Sequence, residues 1–181
     1  MDIPSAQPAN LNFLRQNGFR FHLKRLPHVN YFTQSAVLPG VTLQATEIGY
    51  PQAVVPVPGG RLIWEPYDLS FRVDEDMKNY LEILDWLNGL GRPTSSTQID
   101  ALVSTTEQKK RGRSIPISSL VSDGTLFIQT NHHNNNLEVT FMDLWPTGIT
   151  PLRFSVGEST IETIEATVTF RYRYYTVKKM N

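Results

Sequence analysis

Phe19, Phe21 and Leu23 alternate with Arg20, His22 and Lys24, the period of two expected of a half-buried strand. Pro27 ends that pattern. Val29 to Val37 is a second candidate strand, followed by Leu38-Pro39-Gly40, which carries the residues of a type II turn. From Val41 to Val57 the chain is β-branched and polar, with little contrast between its two faces. Pro51, Pro56 and Pro58 each remove a backbone donor, so this stretch cannot be the middle of a sheet. It predicts a long hairpin-like excursion turning near Pro58-Gly59-Gly60. A cleaner strand follows, with Tyr67, Leu69, Phe71 and Val73 on one side and Asp68, Ser70 and Arg72 on the other.

Asp74-Glu75-Asp76 opens the one convincing helix, over about residues 75–89. Acids at a helix start meet the positive end of the macrodipole and can accept from free amides. Met77, Tyr80, Leu81, Leu84 and Leu87 recur at helical spacing, with Ile83 and Trp86 at the margins, and Gly89, Gly91 and Pro93 stop the element. Thr94 to Ser119 has no sustained period and holds the basic run Lys109-Lys110-Arg111-Gly112-Arg113. Such a loop within a compact domain is often functional or ordered by a neighbour. Thr125 to Thr130 predicts a short strand, Asn131 to Asn136 a polar hairpin tip, and Leu137, Val139 and Phe141 the returning strand. Leu144-Trp145-Pro146-Thr147-Gly148 reads as a turn, and Leu152-Arg153-Phe154 as a further short strand.

The last element carries the strongest pattern. Ile164, Ala166, Val168, Phe170, Tyr172 and Tyr174 alternate with Thr163, Glu165, Thr167, Thr169, Arg171 and Arg173. That alternation outruns the usual strand of about five or six residues. A strand so long must bend through a barrel or project beyond its own core, where its backbone would pair with sister molecules. The expected fold is mainly β: a small antiparallel barrel or sandwich, one flanking helix and the hairpin-like excursion. Residues 1–17 are expected to form an arm and 18–181 a single domain, with an inserted loop at about 94–119.

Composition narrows the chemistry. Seventeen basic residues balance seventeen acidic ones among 181, so no global field draws the chain to nucleic acid or anionic lipid. Cysteine is absent, which excludes disulfides and thiolate catalysis or ligation. No apolar stretch reaches the length of a membrane span, and Met1-Asp2-Ile3-Pro4-Ser5 lacks the pattern of a signal peptide. The chain is therefore expected to be soluble and unexported. His132 and His133, as strand neighbours, would point to opposite sides and make a poor metal pair. Asp74, Glu75 and Asp76 have a complete explanation at the helix start without acid–base work. No nucleophile elbow or phosphate-cradling glycine loop occurs, so neither an enzyme nor a bound cofactor or metal is expected. Lys109, Lys110, Arg111 and Arg113 could touch phosphate in a nucleic-acid-binding barrel, but no aromatics interleave with them. An acidic protein surface, such as Asp74-Glu75-Asp76 of another copy, suits them equally.

The order of these features resembles the tail-tube proteins of contractile-tailed bacteriophages, over roughly residues 18 to 177. The resemblance rests on Leu38-Pro39-Gly40, the excursion ending at Pro58-Gly59-Gly60, Val73-Asp74-Glu75-Asp76 leading into a helix with Trp86, Leu144-Trp145-Pro146-Thr147, and the terminal aromatic strand. It implies a virion structural protein of the tail, assembled in the host cytoplasm. Hexameric rings would stack into a tube around DNA that passes without specific binding, with sheath and baseplate proteins as further partners and no membrane. The needle-tube protein of type VI secretion shares this fold. A tube-initiating baseplate ring or a tail-terminating ring is the alternative within the class. By the same likeness, Val41, Leu43, Ile48, Tyr50, Val54, Asp74, Glu75, Lys109, Arg111 and Arg113 are candidates for contacts between subunits.

Overall fold

The computed structural model describes residues 12–94, 98–99, 102, 117–157 and 163–180. Strand β1 (Phe19–Leu23) follows its sequence period, with Phe21 and Leu23 buried. The expected strand from Val29 to Val37 divides instead into helix α1 (Pro27–Phe32) and strand β2 (Thr33–Ala36). Pro27 stands in the first turn of α1, where its missing N–H costs nothing. Val29 is fully buried, and the Asn30 side chain binds both the N–H and the C=O of Leu23, at 2.8 and 2.9 Å. These tertiary contacts override the β propensity of Val29, Tyr31 and Phe32.

Leu38-Pro39-Gly40 is not a type II turn, because Gly40 has no left-handed φ; the segment runs extended into β3 (Val41–Tyr50). Glu65 reaches back to this glycine. Its Oε2 accepts from the Gly40 N–H at 3.2 Å and lies 2.7 Å from where a Cβ would stand. Strand β4 (Ala53–Trp64) returns antiparallel along β3, so the hairpin turns at Pro51-Gln52 and not at Pro58-Gly59-Gly60. Those residues form a bulge: Ala45 faces Pro58 and Leu43 faces Leu62, leaving Gln44 alone opposite residues 59–61. A Cβ on Gly59 would stand 2.1 Å from the Gln44 carbonyl oxygen, so close backbone approach selects glycine.

Strand β5 (Tyr67–Arg72) alternates as expected, with Tyr67, Leu69 and Phe71 fully buried. Helix α2 (Lys78–Gly91) starts later than the acids suggest and turns a different face inward. Ile83 and Trp86 lie at the centre of its buried face, while Leu81 is exposed. Apolar residues cover more than half of the helix circumference, opposite Lys78, Glu82 and Asp85, so period alone could not choose the face. Asn79 is its buried polar residue: Nδ2 donates to the Arg72 carbonyl at 2.7 Å, and Oδ1 accepts from the Tyr80 N–H at 2.8 Å. Asp74 precedes the helix but still accepts from the Asn79 N–H, at 3.3 Å.

Strands β6 (Ser122–Gln129) and β7 (Asn135–Ile149) flank the expected polar tip, where His133 takes a left-handed φ of 61°. Leu144-Trp145-Pro146-Thr147-Gly148 is not a turn; it lies inside β7. Beyond Leu144 no described strand pairs with the other side of β7, and a proline is tolerated on such an edge. No strand forms at Leu152-Arg153-Phe154.

The terminal alternation is divided between β8 (Glu165–Arg171) and β9 (Tyr174–Lys179). Both pair antiparallel with β7, β8 along Trp145–Ile149 and β9 along Leu137–Met142. The ribbon turns a corner where Asp143 has a φ of 53° and the Arg173 N–H donates to the Met142 carbonyl at 2.9 Å. Two sheets result, joined at β7: β1-β6-β7-β9 and β2-β5-β8-β7. The architecture is an antiparallel sandwich that does not close into a barrel within one chain. Tyr67 stands at the centre of the core, with ring centroids at 4.5 Å from Phe141 and 5.4 Å from Phe21.

Candidate assembly interface

The hairpin of β3 and β4 projects from this core. All ten residues of β3 are exposed, and most of β4 with them. Among the described residues β3 and β4 pair only with each other, as a separate two-stranded sheet. At about 3.3 Å per residue the ten-residue strand reaches roughly 33 Å. Val41, Leu43, Ile48, Tyr50 and Val54, expected as contacts, are therefore all presented to solvent. They do not share one face. Ile48 lies across from Val55 and Tyr50 across from Ala53, whereas Val54 lies across from Gly49 on the opposite face.

The root of the hairpin is held by aromatic packing that sequence reasoning missed. Trp64 packs edge-on against Tyr175 at 4.9 Å and against Tyr172 at 6.3 Å. The Tyr175 hydroxyl donates to the Pro39 carbonyl at 3.4 Å, and the Glu65 N–H to the Gly40 carbonyl at 3.1 Å. Alternation in the terminal strand marked Tyr172 as inward, but nothing local links residue 64 to residues 172 and 175. Burial pushes the Tyr172 hydroxyl up to about 12, with the nearby Tyr175 and Glu65 adding to the shift. Tyr67 is raised further, by burial alone.

The charged candidates divide. Asp74 and Glu75 lie on the connection between β5 and α2. Asp74 is occupied by Asn79, while Glu75 is exposed. Neighbouring Asp76 pairs with Lys78 at 2.6 Å, and that hydrogen bond lowers its carboxyl from the ordinary value. Lys109, Lys110, Arg111 and Arg113 lie outside the described residues, as do residues 1–11 of the expected arm. Among the described residues no cluster of His, Asp or Glu has the makings of a metal site. No helix there is long and apolar enough to cross a membrane. Arg25 lies over the Trp86 ring and donates to the Ser119 and Leu102 carbonyls, so its charge is spent on internal structure.

Sheet edges complete the surface. Among the described residues β1, β2 and β9 each have one side without a paired strand. Asn30 blocks that side of β1 at Leu23, leaving β9 as the longest open edge of the core. Val177 lies opposite buried Val139, yet it is 54% exposed on the edge strand β9.

Comparison with known proteins decides the family. The family model described as phage tail tube protein matches residues 2–178. The chain belongs to the phage tail tube protein family. As a tail tube protein it has a structural role in the phage tail, and its fold recurs in contractile injection systems. It is similar to a chain of the anti-feeding prophage cap, the tube-terminating cap, at 12% identity and a TM-score of 0.58, over 99% of this chain and 100% of that one. It is also similar to a chain of the sheath–tube complex of the PVC extracellular contractile injection system in its extended state, at 11% identity and a TM-score of 0.56, over 92% of each. A chain from the anti-feeding prophage baseplate matches at 9% identity and a TM-score of 0.54, over 88% of this chain and 90% of that one. No curated protein matches in sequence.

Proposed function

We propose that this tail tube protein closes into hexameric rings that stack into a hollow tube, through which phage DNA passes without specific recognition. The observation that carries this reading is the pairing deficit of the single chain. A hairpin exposed on both faces projects from a sandwich whose β9 edge is unpaired among the described residues and leaves Val177 exposed. Exposed strand edges invite pairing, and cyclic symmetry satisfies them without residual edges. The terminal ribbon would then belong to a sheet shared between adjacent subunits, while the hairpin reaches a neighbour. Sheath and baseplate proteins would dock outside the tube, and assembly would take place in the host cytoplasm. Asp74 and Glu75, with Lys109, Arg111 and Arg113, are proposed as polar contacts between subunits; no catalytic role is assigned.

Electron microscopy of the purified chain, with class averaging for rotational symmetry, tests the proposal. Sixfold rings or tubules that persist in high salt are the expected result. A compact monomer at high concentration would overturn it. Steeply salt-dependent binding to short DNA would favour phosphate contacts by the basic run instead.

A further inference from the structure

The two edges of the projecting hairpin differ. Pro51-Gln52 is a two-residue turn closed by Tyr50 and Ala53, so these two form a hydrogen-bonded pair. Pairs of an antiparallel ladder alternate between bonded and non-bonded types. Ile48 with Val55 and Thr46 with Val57 are then bonded pairs; Gly49 with Val54, Glu47 with Pro56 and Ala45 with Pro58 are non-bonded. Backbone groups at non-bonded positions point away from the partner strand, toward the free side of each strand. Between the turn and the bulge, the outward positions on β4 are Val54, Pro56 and Pro58, two of which have no N–H to offer. On β3 they are Ala45, Glu47 and Gly49, and each keeps its donor and its acceptor. Both prolines fall where their loss costs the hairpin no bond of its own.

We infer that the hairpin pairs through one side only: the free edge of β3 adds an extended strand of a second copy of this chain, and the proline-blunted edge of β4 does not. The inference rests on the tube reading above and adds which edge engages. Proline on an edge is a standard protection against unwanted pairing, and between the turn and the bulge it protects β4 while β3, exposed throughout, keeps its donors. A second copy suits the β3 edge for two reasons. The chain itself carries unpaired strands in its core, notably β9. The hairpin root also packs against Tyr172 and against Tyr175 of β9, the strand whose unpaired side the tube reading already assigns to a neighbour.

Matched proline substitutions test the edge. Glu47→Pro removes one outward donor from β3, and Val54→Pro removes one from β4 at the adjoining non-bonded position. Each leaves the inward bonds intact, as Pro56 and Pro58 already do. Glu47→Gln separates loss of charge from loss of the donor. Tubules are counted by negative-stain microscopy at equal protein concentration, with circular dichroism and thermal melting to confirm folding. The expected result is that the wild type, Glu47→Gln and Val54→Pro assemble alike, while Glu47→Pro gives at least tenfold fewer tubules at an unchanged melting temperature. If both proline variants assemble, if both fail equally, or if only Val54→Pro fails, the β3 edge is not the pairing edge. If the wild type itself stays monomeric, the tube reading falls and the inference with it.

Discussion

Asn79 shows what a single side chain does in this fold. Its amide bridges the end of β5 to the start of α2, while Asp74 alone of the three acids accepts from a first-turn amide, that of Asn79. A buried asparagine among Leu, Ile and Trp breaks the apolar period, which is why the sequence pattern favoured the wrong face of the helix. Tyr67 and Tyr172 make a second point at this scale. Both hydroxyls are buried, and burial disfavours the phenolate, so both ionise above the ordinary tyrosine value. The native state therefore holds protons that the unfolded chain releases near pH 10, and stability falls as pH rises above that value toward 12. Alkaline titration followed by tyrosinate absorbance should show two of the seven tyrosines lagging and ionising together with unfolding. Seven tyrosines titrating as one class, with the fold intact, would contradict this burial.

At the scale of elements, the hairpin was legible as an excursion because prolines exclude a central strand. Its turn was misplaced because glycine serves two needs, a tight turn and close backbone approach, and only the register distinguishes them. What directs the hairpin is Trp64, clasped by Tyr172 and Tyr175. Aromatic pairs contribute about 0.5–1.5 kcal/mol each, so Trp64→Ala should cost roughly 1–3 kcal/mol and loosen the root. Limited trypsin digestion should then cut faster at Arg61 than in the wild type, with the core sheets still folded. An unchanged cleavage rate would show that the aromatic clasp does not hold the hairpin. The terminal alternation was also legible, but not its corner. At the corner the inward phase shifts by one, from Tyr172 to Tyr175, so Tyr174, which the alternation grouped with Tyr172, is exposed.

For the whole molecule, the sandwich depends on β8, which pairs with β5 on one side and β7 on the other. Val168 is fully buried there, so Val168→Asp would bury a charge without a partner. The expected outcome is loss of soluble folded protein; normal expression with an unchanged melting temperature would mean that this face is not the core. The corner also refines the assembly picture. β8 is satisfied within the chain, so the shortage of partners falls on β9 and the hairpin rather than on the entire terminal ribbon.

Local composition was enough to establish the mainly β class, the strands that alternate, the polar tip at His133 and the exclusion of thiol chemistry. Each of these depends on residues within a few positions of one another, where side-chain period and proline or glycine chemistry act directly. Tertiary structure decided the face of α2, the short helix at Pro27–Phe32, the partners of Trp64 and the corner shared by β7 and the terminal ribbon. Those outcomes come from contacts between residues far apart in the chain, such as Trp64 with Tyr175, and no local pattern encodes which distant surface will bury a given side chain.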